Sequence, residues 1–303
     1  MSTESLYATQ TRIYKETGIG TGVPTGDVFQ TDMVSAAAKH EHLVTNNSKD
    51  PFRQPREKEP IHTRYLLRTS HCVNPAFAGW LIRQHCVNGM QMRVIDAPEP
   101  SFVMQYLLED GDLVEFRGVH LAELQLSATE SRTATMECSW VATRRELPGG
   151  GLTPELGSLG LTRHVSSLES AAALQAGALD PTDPRTVNAI PIHAAEFMMK
   201  RSTEPALFSP YGRAQRVLCG PWTANAEIRL PANSDSEAAH NIQSGAFGLW
   251  LGPDGNDLGI TSDTATQLTP SEPLQGEGFR EHSIAIEFRT GASGEIFRIA
   301  DDT

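Results

Sequence analysis

The sequence is short of basic charge. Of its 303 residues, 25 are Lys or Arg against 37 Asp or Glu, a formal net charge of −12. That balance excludes a surface that grips nucleic acid by neutralising phosphates, which needs a basic face. It leaves room for a protein that sits beside DNA without holding it. Long apolar runs are missing too, none approaching the roughly 20 residues of a bilayer-crossing helix. The opening Met1-Ser2-Thr3-Glu4-Ser5 lacks the basic and apolar regions of a secretory leader, so a protein that stays where it is made, with no membrane partner, is expected. The four cysteines, Cys72, Cys86, Cys138 and Cys219, form no Cys-x-x-Cys pair, and they are expected to be free and mostly buried.

What is present is a folded, loop-rich composition: 39% hydrophobic, 20% charged, 25 Gly and 19 Pro. A length prior of roughly 150 residues per domain suggests two domains. Period-two alternation dominates, as in residues 135–142, where Met136, Cys138 and Trp140 alternate with Thr135, Glu137 and Ser139. Residues 222–230 repeat it most regularly. Asp110-Gly111 reads as a hairpin turn between strands 101–108 and 113–117, with a further strand over 119–126. Asn74-Pro75 is a helix start, and Phe77, Trp80, Leu81 and Gln84 at helical spacing predict a short amphipathic helix over 75–87. Residues 39–60 are polar and read as a long exposed loop. These signals predict a mainly β fold, a half-buried antiparallel sheet with one flanking helix.

Gly149-Gly150-Gly151 marks the expected boundary, because three glycines hold regular structure poorly. The domains expected are 1–148, a linker over 149–210 with room for short helices at 168–179 and 192–200, and a second β-rich domain over 211–303. The last two strands, 283–289 and 295–299, are joined by a turn containing Gly291 and Gly294. No repeat of solenoid length is visible, although each half closes with a strand of alternating apolar residues.

Chemistry is hard to find. His40-Glu41-His42, His71-Cys72 and His85-Cys86 are the groups one would nominate for a metal, but neighbours on a strand point to opposite faces and the paired spacings of zinc sites are absent. Asp254-Gly255-Asn256-Asp257 resembles the start of a calcium loop, yet Ala265 stands where the bidentate acid belongs, so a hairpin turn explains it. The glycine-rich stretch from Gly18 to Gly26 completes neither a phosphate loop nor a dinucleotide fingerprint. No catalytic residue, cofactor or metal is expected, and the chain does not read as an enzyme. Lys49, Asp50, Arg53, Arg56, Glu57 and Lys58 mix both signs within the long loop and read as a solvated loop, or as one that pairs with the acidic surface of a neighbouring copy.

The order of elements resembles the major tail tube protein of long-tailed bacteriophages, in its larger two-domain form. The resemblance rests on a short first strand, the turn Gly20-Thr21-Gly22-Val23-Pro24-Thr25, the long polar loop, the strand and helix over 62–87, and hairpin strands ending at 135–145. Ile284-Ala285-Ile286-Glu287-Phe288-Arg289 and Ile296-Phe297-Arg298-Ile299 are similar to the last hairpin of that family. The resemblance implies a β-sandwich or barrel whose copies join sheet to sheet into rings. Single-domain members form hexameric rings and two-domain members can form trimeric ones. Rings stack into a tube for DNA ejection, and the expected partners are further copies and the tape measure, terminator and baseplate proteins of a virion tail. The charge deficit then predicts acidic side chains on the inner wall, with Arg53, Arg56 and Lys58 facing protein. An adaptor ring or decoration protein is the alternative; a β-rich carbohydrate-binding module or hydrolase using Trp222, Trp250 and surface acids is a third reading.

Overall fold

The computed structural model describes residues 3–5, 8–30, 33–43, 62–129, 132–148, 151–154, 165–176, 179, 189–208, 214–232, 241–263, 265–270, 274–275, 280–291 and 293–300. The protein is mainly β, with one α-helix among the described residues. Its largest sheet begins with β1 (Thr3–Ser5) on β4 (Met33–Leu43), followed by β5 (His62–Cys72), β9 (Thr135–Glu146) and β8 (Leu113–Ala128). It continues without interruption through β12 (Ala194–Lys200), β15 (Thr223–Pro231), β20 (Arg280–Phe288) and β18 (Ala265–Pro270), every neighbour antiparallel. Strand β8 is long enough to change partner. Its first half pairs β7 (Phe102–Leu108), which carries β2 (Ala8–Glu16) and then β3 (Pro24–Gln30), while its second half pairs β12. The short β19 (Leu274–Gln275) adds to β20.

The strand order repeats. In β4-β5-β9-β8 and again in β12-β15-β20-β18, the first, second, fourth and third strands of a set lie side by side. The sets meet where β8 pairs β12, so the two halves of the chain share one sheet. A second sheet, β11 (Ile190–Pro191), β10 (Ala171–Gln175), β16 (Ala246–Leu251), β17 (Leu258–Ser262), β21 (Glu295–Ala300) and β6 (Gln91–Arg93), packs as another layer and also draws on both halves. A hairpin of β13 (Thr203–Phe208) and β14 (Ala214–Cys219) forms a separate two-stranded sheet beside β5, β8 and β9.

Helix α1 (Pro75–Arg83) starts as its sequence requires: Asn74 Oδ1 accepts from Phe77 N at 3.2 Å, and Pro75 takes the first turn. It ends four residues before the expected Val87, because His85 N and Cys86 N bond to the carbonyls of Ile82 and Arg83 and tighten the last turn. One core cluster joins Ile13, Phe29 and Leu67 to Phe197, Ile228 and Phe297. At its centre Phe197 meets Phe288 and Phe297 edge to face, with centroids 5.8 and 5.4 Å apart.

Several expectations need correction. Residues 39–43 are strand β4 rather than loop, paired by register to Leu66 through His62. The stretch 168–179 holds the end of a 3-10 turn and β10, and 192–200 is largely β12. Their Ala and Met residues suit helices in isolation, but Ala195, Phe197 and Met199 are buried in strict alternation between two strands. The strands expected over 113–117 and 119–126 are one, β8. The closing strands β20 and β21 do not pair with each other; the chain crosses between layers after Phe288, and β21 joins β17 and β6.

Candidate functional site

The large sheet has two unlike faces, and cross-strand register shows how each is built. One row, His71, Met136, Leu126, Phe197, Ala226 and Ile286, crosses six strands and is buried throughout. The neighbouring row, Ser70, Glu137, Gln125, Met198, Asn225 and Glu287, crosses the same strands on the opposite face and is open or half-open to solvent. Period-two alternation in each strand, kept in register, separates the two.

The open face is polar and acidic. Glu123, Glu137, Glu196, Glu227 and Glu287 stand on it against Arg68, Lys200 and Arg229. Glu196 and Glu227 are direct cross-strand partners, an arrangement of like charges that costs stability in an isolated sheet. Glu227 Oε1 accepts from Ser283 Oγ at 3.1 Å, and Arg229 Nε lies 3.9 Å from the same oxygen. A shallow groove of about 200 Å³ lies on this face between Met198, Lys200, Asn225 and Glu287.

Both ends of the sheet are edges. β18 carries on its outer side only the Ser244–Thr266 bridge and the Gly245 N to Ala265 O bond among the described residues, and it ends in Pro270, which has no N–H to offer. At the far end, among the described residues, β4 is covered by β1 over Ala37, Ala38 and Lys39.

The glycine-rich turn 17–23 is held by a buried carboxylate that sequence reasoning missed. Glu16 Oε1 accepts from Gly20 N and Gly118 N, each at 2.9 Å, and Oε2 accepts from Gly22 N at 3.0 Å. Gly20, Gly22 and Gly118 all have positive φ, which only glycine adopts without strain. Arg144 Nη1 donates to Gly20 O, and Arg117 is paired with Glu115 and Glu146.

The nominated histidines are dispersed. His71 and His120 are buried, and burial pushes both imidazoles down to about 4, helped at His120 by the charge of Arg201. His85 is fully buried and held well below its ordinary value by burial, then by Arg201, His120 and Lys15. Its ring stands edge to face on Trp222 at 5.2 Å, and the Arg201 guanidinium lies over the same indole at 4.4 Å. His40 and His42 lie on β4, separated by Glu41. Burial pushes the Cys86 thiol up to about 12, and Cys138 is raised further. Among the described residues no three His, Cys, Asp or Glu side chains gather closely enough to hold a metal ion. Asp254-Gly255-Asn256-Asp257 is the turn between β16 and β17. Trp222 and Trp250 are both buried, and Trp250 packs on Gly248 and Gly259, so neither presents a ring to a sugar. Lys49, Asp50, Arg53, Arg56, Glu57 and Lys58 lie outside the described residues.

No family model matches the sequence, and no curated protein matches it. No helix among the described residues is long and apolar enough to cross a membrane.

Proposed function

We propose that the protein is a structural subunit that assembles through the edges of its large sheet into rings, and that the rings stack into the tail tube of a long-tailed bacteriophage. The observation that carries this reading is the repeated strand order, β4-β5-β9-β8 joined edge to edge to β12-β15-β20-β18. Within one chain, the last strand of the first set pairs the first strand of the second set. Applied again between chains, the same rule joins β18 of one copy to β4 of the next. That contact is heterologous, and it closes when the rotation per step divides a full turn. Three copies then present six quasi-equivalent sets around a ring.

The face left open by this arrangement suits a conduit. Its carboxylates repel phosphate, and most of its side chains are polar, so a duplex slides where a basic lining would hold it. The partners are further copies in the ring, rings above and below, and the other proteins of the tail; DNA passes without tight binding. Assembly of the concentrated protein, followed by sedimentation velocity and negative-stain microscopy, tests the reading. Rings or hollow tubes are the expected result, and a protein that stays monomeric at every concentration contradicts it. Copy number in the particle separates a tube protein, present in many rings, from an adaptor present in one.

A further inference from the structure

The two sets of strands differ in what covers their first strand. The outer edge of β12 is taken by β8 over six consecutive pairs, from Ala195↔Ala128 to Lys200↔Glu123. The outer edge of β4, its counterpart, is taken by β1 over three, Thr3↔Lys39, Glu4↔Ala38 and Ser5↔Ala37. β1 is joined to β2 through residues 6 and 7 alone, and β2 is anchored between β3 and β7. The strand on β4 is thus a short tethered piece, sitting where the repeat places a longer one.

From this we infer that β1 is a removable edge guard: it occupies the β4 edge in the free subunit and is displaced by β18 of a second copy when the ring closes. The inference rests on the ring reading above and adds its control step. Competition decides which strand holds the edge. A tethered segment acts at an effective concentration in the millimolar range, so it outcompetes a dilute neighbour even with fewer hydrogen bonds. As subunits accumulate, or dock on a ring already formed, the longer ladder wins because it satisfies more backbone groups. An unguarded edge would pair indiscriminately, which proteins avoid with short strands, charge or a cover. The guarded stretch of β4, Ala37-Ala38-Lys39, carries one charge, Lys39, beside two alanines.

The test uses the full-length protein. Glu4→Cys with Ala38→Cys places cysteines at directly paired positions and pins β1 when oxidised. Rings should be lost in the oxidised protein and return on reduction. A second variant, Glu4→Pro with Ser5→Pro, removes two successive N–H groups, one of which faces β4, and frees the edge. Its threshold concentration for assembly should fall on the order of tenfold. If the pinned protein forms rings as readily as the wild type, the guard is refuted and the ring reading stands. If wild type, reduced and proline variants all stay monomeric, the ring reading falls and the guard with it.

Discussion

Glu16 Oε1 accepts the backbone N–H of Gly118 at 2.9 Å, tying the end of β2 to the middle of β8. The same carboxylate takes Gly20 and Gly22, so one side chain fixes a turn and a strand crossing together. Glu16→Gln replaces one acceptor oxygen with a donor that faces an N–H. With the group buried, a loss of about 2 kcal/mol of stability is expected. Urea unfolding of the two proteins measures it, and an unchanged midpoint would show that the turn holds without the charge.

Gly118→Ala should cost more than a surface substitution. The residue has φ +58°, and an added Cβ would overlap Thr143 Oγ1. Strain and overlap together predict a loss of about 2–4 kcal/mol. A lowered thermal midpoint with native circular dichroism at 20 °C is the expected outcome.

Acid should destabilise the subunit through buried imidazoles. His71 and His120 titrate near 4 when folded, against an ordinary value of 6.5. Between those values the unfolded chain binds more protons than the folded one. Stability is therefore full above pH 6.5, falls as pH drops toward 4, and levels off below it. Each group contributes about 3 kcal/mol across that window. The neighbour that disfavours the charged form of His120 is Arg201. Urea midpoints at pH 7.5 and 4.5 should differ strongly in the wild type and less in His120→Asn, whose side chain does not titrate.

The shared core predicts one unfolding transition. Phe197 sits on the strand that joins the two sets, between Phe288 and Phe297. Phe197→Ala should cost about 3–5 kcal/mol and move the whole transition. Two calorimetric transitions, one of them unmoved, would mean that the halves fold separately.

These expectations show which parts of the fold are local. Asn74-Pro75, Asp110-Gly111 and the alternation of residues 135–142 and 222–230 could be read directly, because capping, turn geometry and period two depend on neighbours in sequence. The identity of β12 could not. Ala-Ala-Glu-Phe-Met-Met is strand because β8 and β15 flank it, a condition imposed by residues far along the chain. The Gly291 turn looked like a hairpin because nothing local distinguishes a turn within a sheet from a crossing between layers. Glu16 was missed for a similar reason, since its three glycine partners include one from β8. Of the long loop expected over residues 39–60, the part from Lys39 to Leu43 proved to be strand.

Charge reversal on the open face tests its role apart from assembly. Glu137→Lys, Glu227→Lys and Glu287→Lys together change side chains outside the core, so subunit stability should shift by no more than about 0.5 kcal/mol per site. Tubes of the variant should retain duplex DNA at low salt and release it as salt rises, whereas wild-type tubes should not retain it. Equal retention by both would place this face away from the lumen.

The most direct measurement is a cross-section of the assembled protein by electron cryomicroscopy. The expected result is a hollow ring of three copies in which β18 of each pairs β4 of the next and the Glu137–Glu287 row faces the lumen. A solid fibre, a ring joined through the second sheet, or a lumen lined by the buried-face row would contradict it.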